Sequence, residues 1–230
     1  ADIDYIGNEG YPPLRIRGRE LEGGQLVIPG NVSSQYVSAL LMIAPILTKG
    51  LDLKLTGEIV SRPYIDLTLH IMHEFGVAAE WTNFDTISVK PQQYTRRTYT
   101  IENDWTAASY WYEVLALQED LDAEVVISGL KDGSRQGDAA VRYIFSLLGI
   151  KTNFARKDAE GLTDATLTRH TRMLNRMDYD FINHPDLAQT LIVGYSLPFH
   201  GLEQSKNQRD RPHRSNENRD GKAGLRPSKP

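Results

Sequence analysis

At 230 residues, 40% of them apolar and 24% charged, the chain is long enough for one large or two small domains with real cores. It has no cysteine, which excludes disulfides, thiolate metal sites and a cysteine nucleophile, and its six histidines include no pair at HExxH spacing, so no metal is expected. The net charge of −4 conceals an acidic body: residues 205–230 carry eight Lys/Arg against three acids, which leaves 18 against 27, or −9, before them. No apolar run is long enough to span a bilayer and no secretory leader is visible, so a soluble, cytoplasmic protein is expected.

In chain order, the apolar stretch "GNVSSQYVSALLMIAPIL" (30–47) predicts a helix over 34–47, opened by Ser33, Ser34 and Gln35. An alternating strand follows from residue 53, then a loop with Ser61 and Arg62, a helix from about Ile65 to Phe75 ended by Gly76, and a short strand or hairpin in "AAEWTNFDTISVKP". About 72 residues on, the same order returns. A helix over 105–118 precedes the strand "EVVISGL", a loop carries Ser134 and Arg135, a helix starts at Asp138 and ends at Gly149, and "KTNFARKDAEGLTDATL" supplies the next strand or hairpin. The chain therefore reads as α/β (α+β), built from repeated βαβ-type units.

A third unit begins with "NHPDLAQTLIVGYSLPFHGLE", where a Pro and an Asp start an apolar helix. The pattern then gives way to "QSKNQRDRPHRSNENRDGKAGLRPSKP", which has too few aliphatic residues to bury a face. As written it reads as a solvated basic tail. The genetic code offers another explanation: with one nucleotide gained in codon 204, synonymous codons exist whose neighbouring frame reads SLKIKETDRIEAMKTEMGKLGYVL. That string is amphipathic and restores the third repeat, so residues 205–230 are expected to be a frameshifted tail with no nucleic-acid partner.

A helix needs one cap, not three polar residues. Its N-terminus exposes unpaired N–H groups and a partial positive charge, which suits an anion. The dipole contributes only about 0.3 to 1 kcal/mol, whereas each hydrogen bond to a charged group contributes about 1.5 to 3. Hydroxyls of Ser33 and Ser34 would thus outweigh the dipole, and the Gln35 amide can donate to a carboxylate or enol oxygen. The bland reading is that one serine merely caps the helix. "SRPY" (61–64) is, by itself, an ordinary loop whose proline opens a helix.

Together, "GNVSSQYVSALLMIAPIL", "GEIVSRPYIDLTLHIMHEFGV", "SRQGD", "NHPD", "YPPLRIRG" and the out-of-frame KETDR resemble the 5-enolpyruvylshikimate-3-phosphate synthase family. The resemblance implies an inside-out fold of two similar domains, helices inside and sheets outside, with ligands in the cleft between them. It implies a partial first domain at 1–170 holding two units, the start of a second at 171–204, and the aberrant tail beyond. The implied reaction transfers the carboxyvinyl group of phosphoenolpyruvate to the 5-hydroxyl of shikimate 3-phosphate, with no metal or organic cofactor.

By the same resemblance, Ser33, Ser34 and Gln35 bind shikimate 3-phosphate, Gln35 also reaching phosphoenolpyruvate. Ser61 contacts the phosphate, Tyr64 lies over the shikimate ring and Arg62 adds positive charge. Asp186 is the implied general base, because a neutral hydroxyl is a poor nucleophile at pH 7 until a carboxylate takes its proton. Ser134, Arg135, Gln136 and Asp138 match an SxQGD pattern but read as structural, Asp138 as a cap or first-turn acid. Asn183 and His184 have no assignable role. The family's remaining cationic stretches have no counterpart, and Arg209, Asp210, Arg211 and Pro212 stand where KETDR would be, so the chain is expected to be an inactive fragment. Two rivals stand beside this reading: a UDP-N-acetylglucosamine enolpyruvyl transferase relative, disfavoured by the missing cysteine, and a non-catalytic phospho-ligand-binding or interaction fragment. The oligomeric state is left open.

Overall fold

The computed structural model describes residues 2–156, 161–170, 174, 177–194 and 199–200. An N-terminal hairpin, β1 (Asp2–Tyr5) with β2 (Leu14–Arg17), precedes two larger units. In the first, β3 (Gly24–Pro29) runs parallel to β4 (Leu51–Thr56), and α1 (Ser34–Ile43) makes the crossover between them. Helix α2 (Arg62–Glu74) and the antiparallel hairpin β5 (Ala79–Asn83) and β6 (Thr86–Val89) complete a sheet of order β3-β4-β6-β5.

Local chemistry explains these boundaries. Strand β4 alternates strictly, so Leu51, Leu53 and Leu55 face the helices while Asp52, Lys54 and Thr56 face outward. Helix α1, expected to reach residue 47, stops at Ile43 because Pro45 has no N–H to bond the Leu41 carbonyl; the chain tightens into a 3₁₀ turn over Ala44–Ile46. Helix α2 starts three residues before the expected Ile65, since Pro63 is tolerated in a first turn whose N–H groups lack partners anyway. It ends at Gly76, whose φ of +82° lets Val77 N–H turn back to the Met72 carbonyl.

The second unit comprises α3 (Trp105–Ala116), β7 (Glu124–Leu130), a 3₁₀ turn (Gly137–Ala140), α4 (Val141–Leu147), β8 (Ile150–Arg156) and β9 (Thr163–Arg169). The helix expected from Asp138 is thus 3₁₀ in its first turn and α-helical only from Val141. Its sheet order, β7-β9-β8, reproduces β4-β6-β5 with the same antiparallel pairings, so the internal repeat is a repeat of topology. Short β10 (Tyr179–Asp180) and β11 (Phe199–His200) are parallel and flank α5 (Leu187–Gly194), as β3 and β4 flank α1.

Two cores result. Val37, Leu41, Leu53, Leu55, Ile65, Met72 and Ile87 build the first; Trp105, Tyr112, Leu130, Phe145, Ile150 and Leu167 anchor the second. Phe181, Leu187 and Leu191, which follow the boundary expected at residue 170, pack into that second core with residues 105–167. The tail at 205–230 lies outside the described residues. Among the described residues no helix is long and apolar enough to cross a membrane.

Candidate functional site

The loops before α1 and α2 are held side by side. Val60 N–H donates to the Gly30 carbonyl at 3.2 Å, and Ser38 and Thr68 join the two helices through a 2.7 Å hydroxyl contact. Gly30 permits this approach, because a Cβ there would meet the Glu58 carbonyl at 2.8 Å. Ser33 and Ser61 therefore head neighbouring helices. Ser33 also acts as the cap, its Oγ accepting from Gln35 N–H at 3.4 Å, while Ser34 is half-buried and Gln35 exposed.

Ser61 is the most unusual backbone position in this unit. It is 8% exposed and left-handed, with φ +53° and ψ +34°, a conformation that costs a non-glycine residue of order 1 kcal/mol or more. Its N–H donates to the Ile182 carbonyl, between β10 and α5, at 2.9 Å, and its hydroxyl makes no capping bond to α2. The left-handed turn is held by the bond to Ile182 and by Tyr64 N–H donating back to the Ser61 carbonyl at 3.1 Å.

Arg62 goes elsewhere. Its guanidinium lies 3.7 Å from the centroid of Trp81 and donates to the Phe84 carbonyl at 2.8 Å, both on the β5–β6 hairpin. The structure spends this charge on an aromatic face and a loop carbonyl instead of gathering it with the serines.

Tyr64 crosses from the first unit to the second. Its hydroxyl donates to Asp138 Oδ1 at 2.6 Å and lies 3.4 Å from Asp186 Oδ2. Asp138 is 1% exposed, and its other oxygen accepts from the Thr106 hydroxyl in the first turn of α3. Asp138 is a first-turn acid as expected, but its carboxylate serves side chains of two other helices and does not cap its own. Asp186, just before α5, is exposed; partial burial and the Asp138 charge push its carboxyl above the usual carboxylate range. The Tyr64 phenol is pushed well above its ordinary value by burial and the same two carboxylates, so it remains a proton donor.

The remaining motif residues hold the second unit together. Ser134 donates to Glu102 at 2.7 Å, and Gln136 accepts from Trp105 N–H at 2.9 Å while donating to the Asn103 carbonyl, which pins the start of α3. Arg135 is exposed. His184 Nδ1 meets the Tyr179 hydroxyl at 3.0 Å, and burial lowers its imidazole pKa, keeping it neutral. Asp104 caps α3 through Thr106 N–H at 2.8 Å. The sequence reading missed Thr106 and the long-range role of Asp138; the available signal was that "SRQGD" repeats "SRPYI", so that Asp138 falls at the corresponding helix start, one position past the repeat equivalent of Tyr64. A cavity beside α4 and β8, with Arg142 and Lys151 in its wall, includes none of these site residues, and Arg142 there is already paired with Asp132. Among the described residues no group of three or more His, Asp or Glu is placed to hold a metal ion.

The repeated α/β units match a known architecture. Two solved structures of EPSP synthase from Acinetobacter baumannii share the fold, with TM-scores of 0.60 and 0.58 at 19% and 22% identity, over 81% and 83% of this chain and 41% of each of those chains. The sequence model for EPSP synthase (3-phosphoshikimate 1-carboxyvinyltransferase) matches residues 1–194, and the chain belongs to that family. Its relatives include the 3-phosphoshikimate 1-carboxyvinyltransferases of Bacteroides fragilis (strain ATCC 25285), 48% identical over 90% of this chain and 50% of the relative, and of Sulfurovum sp. (strain NBC37-1), 36% identical over 83% and 43%. The chain spans about half the length of the curated relatives it matches.

Proposed function

We propose that this chain carries the shikimate 3-phosphate half of a 3-phosphoshikimate 1-carboxyvinyltransferase site. Ser33, Ser34 and Ser61 are read as phosphate ligands at two adjacent helix N-termini, where N–H groups and hydroxyls together offset the anion's desolvation. Gln35 is the donor toward the phosphoenolpyruvate carboxylate or enol oxygen, and Tyr64 is the ring that bears on the shikimate. Asp186 takes the proton of the 5-hydroxyl as that oxygen attacks C2 of phosphoenolpyruvate; a carboxyl raised toward neutral pH is better matched to this task than an ordinary one. As the C2–O bond forms, the C2=C3 π pair takes up a proton at C3 from an acid that is not among these residues; departure of phosphate from the tetrahedral adduct, with loss of a C3 proton, re-forms the double bond and completes the transfer.

The observation that carries the reading is the junction itself: strained Ser61 and bridging Tyr64, four residues of one loop and helix start, both bond to the segment that bears Asp186 or to its neighbour Asp138. The cations needed around the phosphoenolpyruvate phosphate and carboxylate are not among these residues, and Arg62 is committed to Trp81. The chain alone is therefore expected to bind shikimate 3-phosphate and not to turn over. Both proposed substrates are multiply charged and do not cross a bilayer unaided, in keeping with a cytoplasmic placement.

Calorimetric titration with shikimate 3-phosphate, followed by a phosphate-release assay with phosphoenolpyruvate, tests this. Binding without turnover is the expected result. Absence of binding would overturn the half-site reading, and turnover would overturn the claim that missing cations abolish activity.

A further inference from the structure

Asp186 is faced from three other elements: by Asp138 in the 3₁₀ turn, by Tyr64 at the head of α2 and by Asp104 at the head of α3, with His184 in its own loop. The phenol has one proton to give. At 2.6 Å to Asp138 and 3.4 Å to Asp186, that proton belongs to Asp138. Thr106 supplies a second donor to Asp138, and both hydroxyls are neutral. The buried carboxylate thus has a hydroxyl donor on each oxygen, and among the described residues no cation pairs with it. Tyr64, its proton turned toward Asp138, leaves an oxygen lone pair on the side of Asp186.

We propose that Asp138 is a positioning residue for Asp186: its buried carboxylate claims the Tyr64 proton and sets a second negative charge behind the cleft, making Asp186 the proton-accepting member of the pair. Asp138 touches no substrate in this scheme. It is buried and bonded to Tyr64 and Thr106, whereas Asp186 is exposed. Of the two carboxylates that face the one phenol, Asp186 has the weaker claim on a donor and is left as the better proton acceptor. The inference rests on Asp186 as the general base; without it, the coupling would still exist but would have no catalytic use.

The test is a carboxyl ¹³C NMR titration of this chain, selectively labelled at aspartate. In Asp138→Asn, an isosteric change that retains an acceptor for Tyr64 or Thr106, the Asp186 midpoint is expected to fall by about one pH unit or more. In Thr106→Val, which loosens the same carboxylate but keeps its charge, the midpoint is expected to stay high. An unchanged or higher midpoint in Asp138→Asn, or an equal fall in both variants, would overturn the proposal. If Asp138→Asn does not fold, Asp138→Ser, smaller and likewise uncharged, takes its place: the Asp186 midpoint must again fall, and no change there overturns the coupling just as firmly. These titrations need no ligand, so a shifted midpoint in a chain that fails to bind shikimate 3-phosphate would count against the proposed function and leave the coupling intact.

Discussion

The Tyr64 hydroxyl, carried by a helix of the first core, donates at 2.6 Å to Asp138, a carboxylate buried in the second. The two units thus share a charge-assisted hydrogen bond, and the acceptor has nowhere else to find water. Removing the donor leaves the carboxylate short of one partner. Tyr64→Phe is expected to cost about 1.5–3 kcal/mol of stability, read from urea denaturation. A cost below about 0.5 kcal/mol would mean that the bond is not sustained in solution.

Ser61 should separate stability from binding. Its left-handed backbone suits glycine better than serine, so Ser61→Gly is expected to leave the melting temperature unchanged or slightly higher. The same change removes a hydroxyl proposed to meet the phosphate, and affinity for shikimate 3-phosphate should fall at least about tenfold. A variant that loses stability and keeps affinity would assign the hydroxyl a purely structural task.

Arg62 should behave in the opposite manner. Arg62→Ala uncovers Trp81 and breaks the bond to the Phe84 carbonyl, so a loss of about 0.5–2 kcal/mol in denaturation is expected, with shikimate 3-phosphate affinity changed less than about threefold. A large affinity loss would show that the guanidinium leaves Trp81 when ligand arrives.

Asp186 predicts the sign of a pH effect. Burial and the Asp138 charge raise its folded-state pKa above that of the unfolded chain. Between those two values the folded state holds more protons, so its contribution is fully present below the unfolded value and is lost as pH rises through the folded one. Asp186→Asn should therefore melt higher than the parent at pH 7, with the difference vanishing near pH 3. His184 works the other way: its lowered folded-state pKa contributes stability present above about pH 6.5, the ordinary imidazole value, and lost as pH falls through the folded value. Thermal melts of the parent, Asp186→Asn and His184→Gln across pH 3–8 separate the two.

Much of the fold was legible because it repeats. The paired Gly76 and Gly149, the loops at Ser61 and Ser134 and the alternating strands gave two units in register, and the sheet orders agree with that reading. Helix edges were less legible where tertiary context intervened, as at Pro45 and in the 3₁₀ turn before α4. Of the proposed site residues, Ser33, Ser34, Gln35 and Ser61 were legible as residues at helix starts, which is where they lie. The contact made by Arg62 was not, since its partner Trp81 lies on the next hairpin and nothing in "SRPY" announces it. Asp138 was underread for the same reason: capping is a local inference, while its actual donors are 74 and 32 residues away.

Gly137 stands beside Asp138 and has only a hydrogen where Pro63 arrives; a Cβ there would lie 2.9 Å from the proline's own Cβ. Neither a ring nor a methyl group on that backbone could yield. Any side chain at this point would act as a wedge, prising Tyr64 off its acceptor before it disturbed either interior. The smallest residue in the seam thus governs how tightly the two halves shut, and the tolerance of the whole junction is set by a gap too narrow for one methyl group.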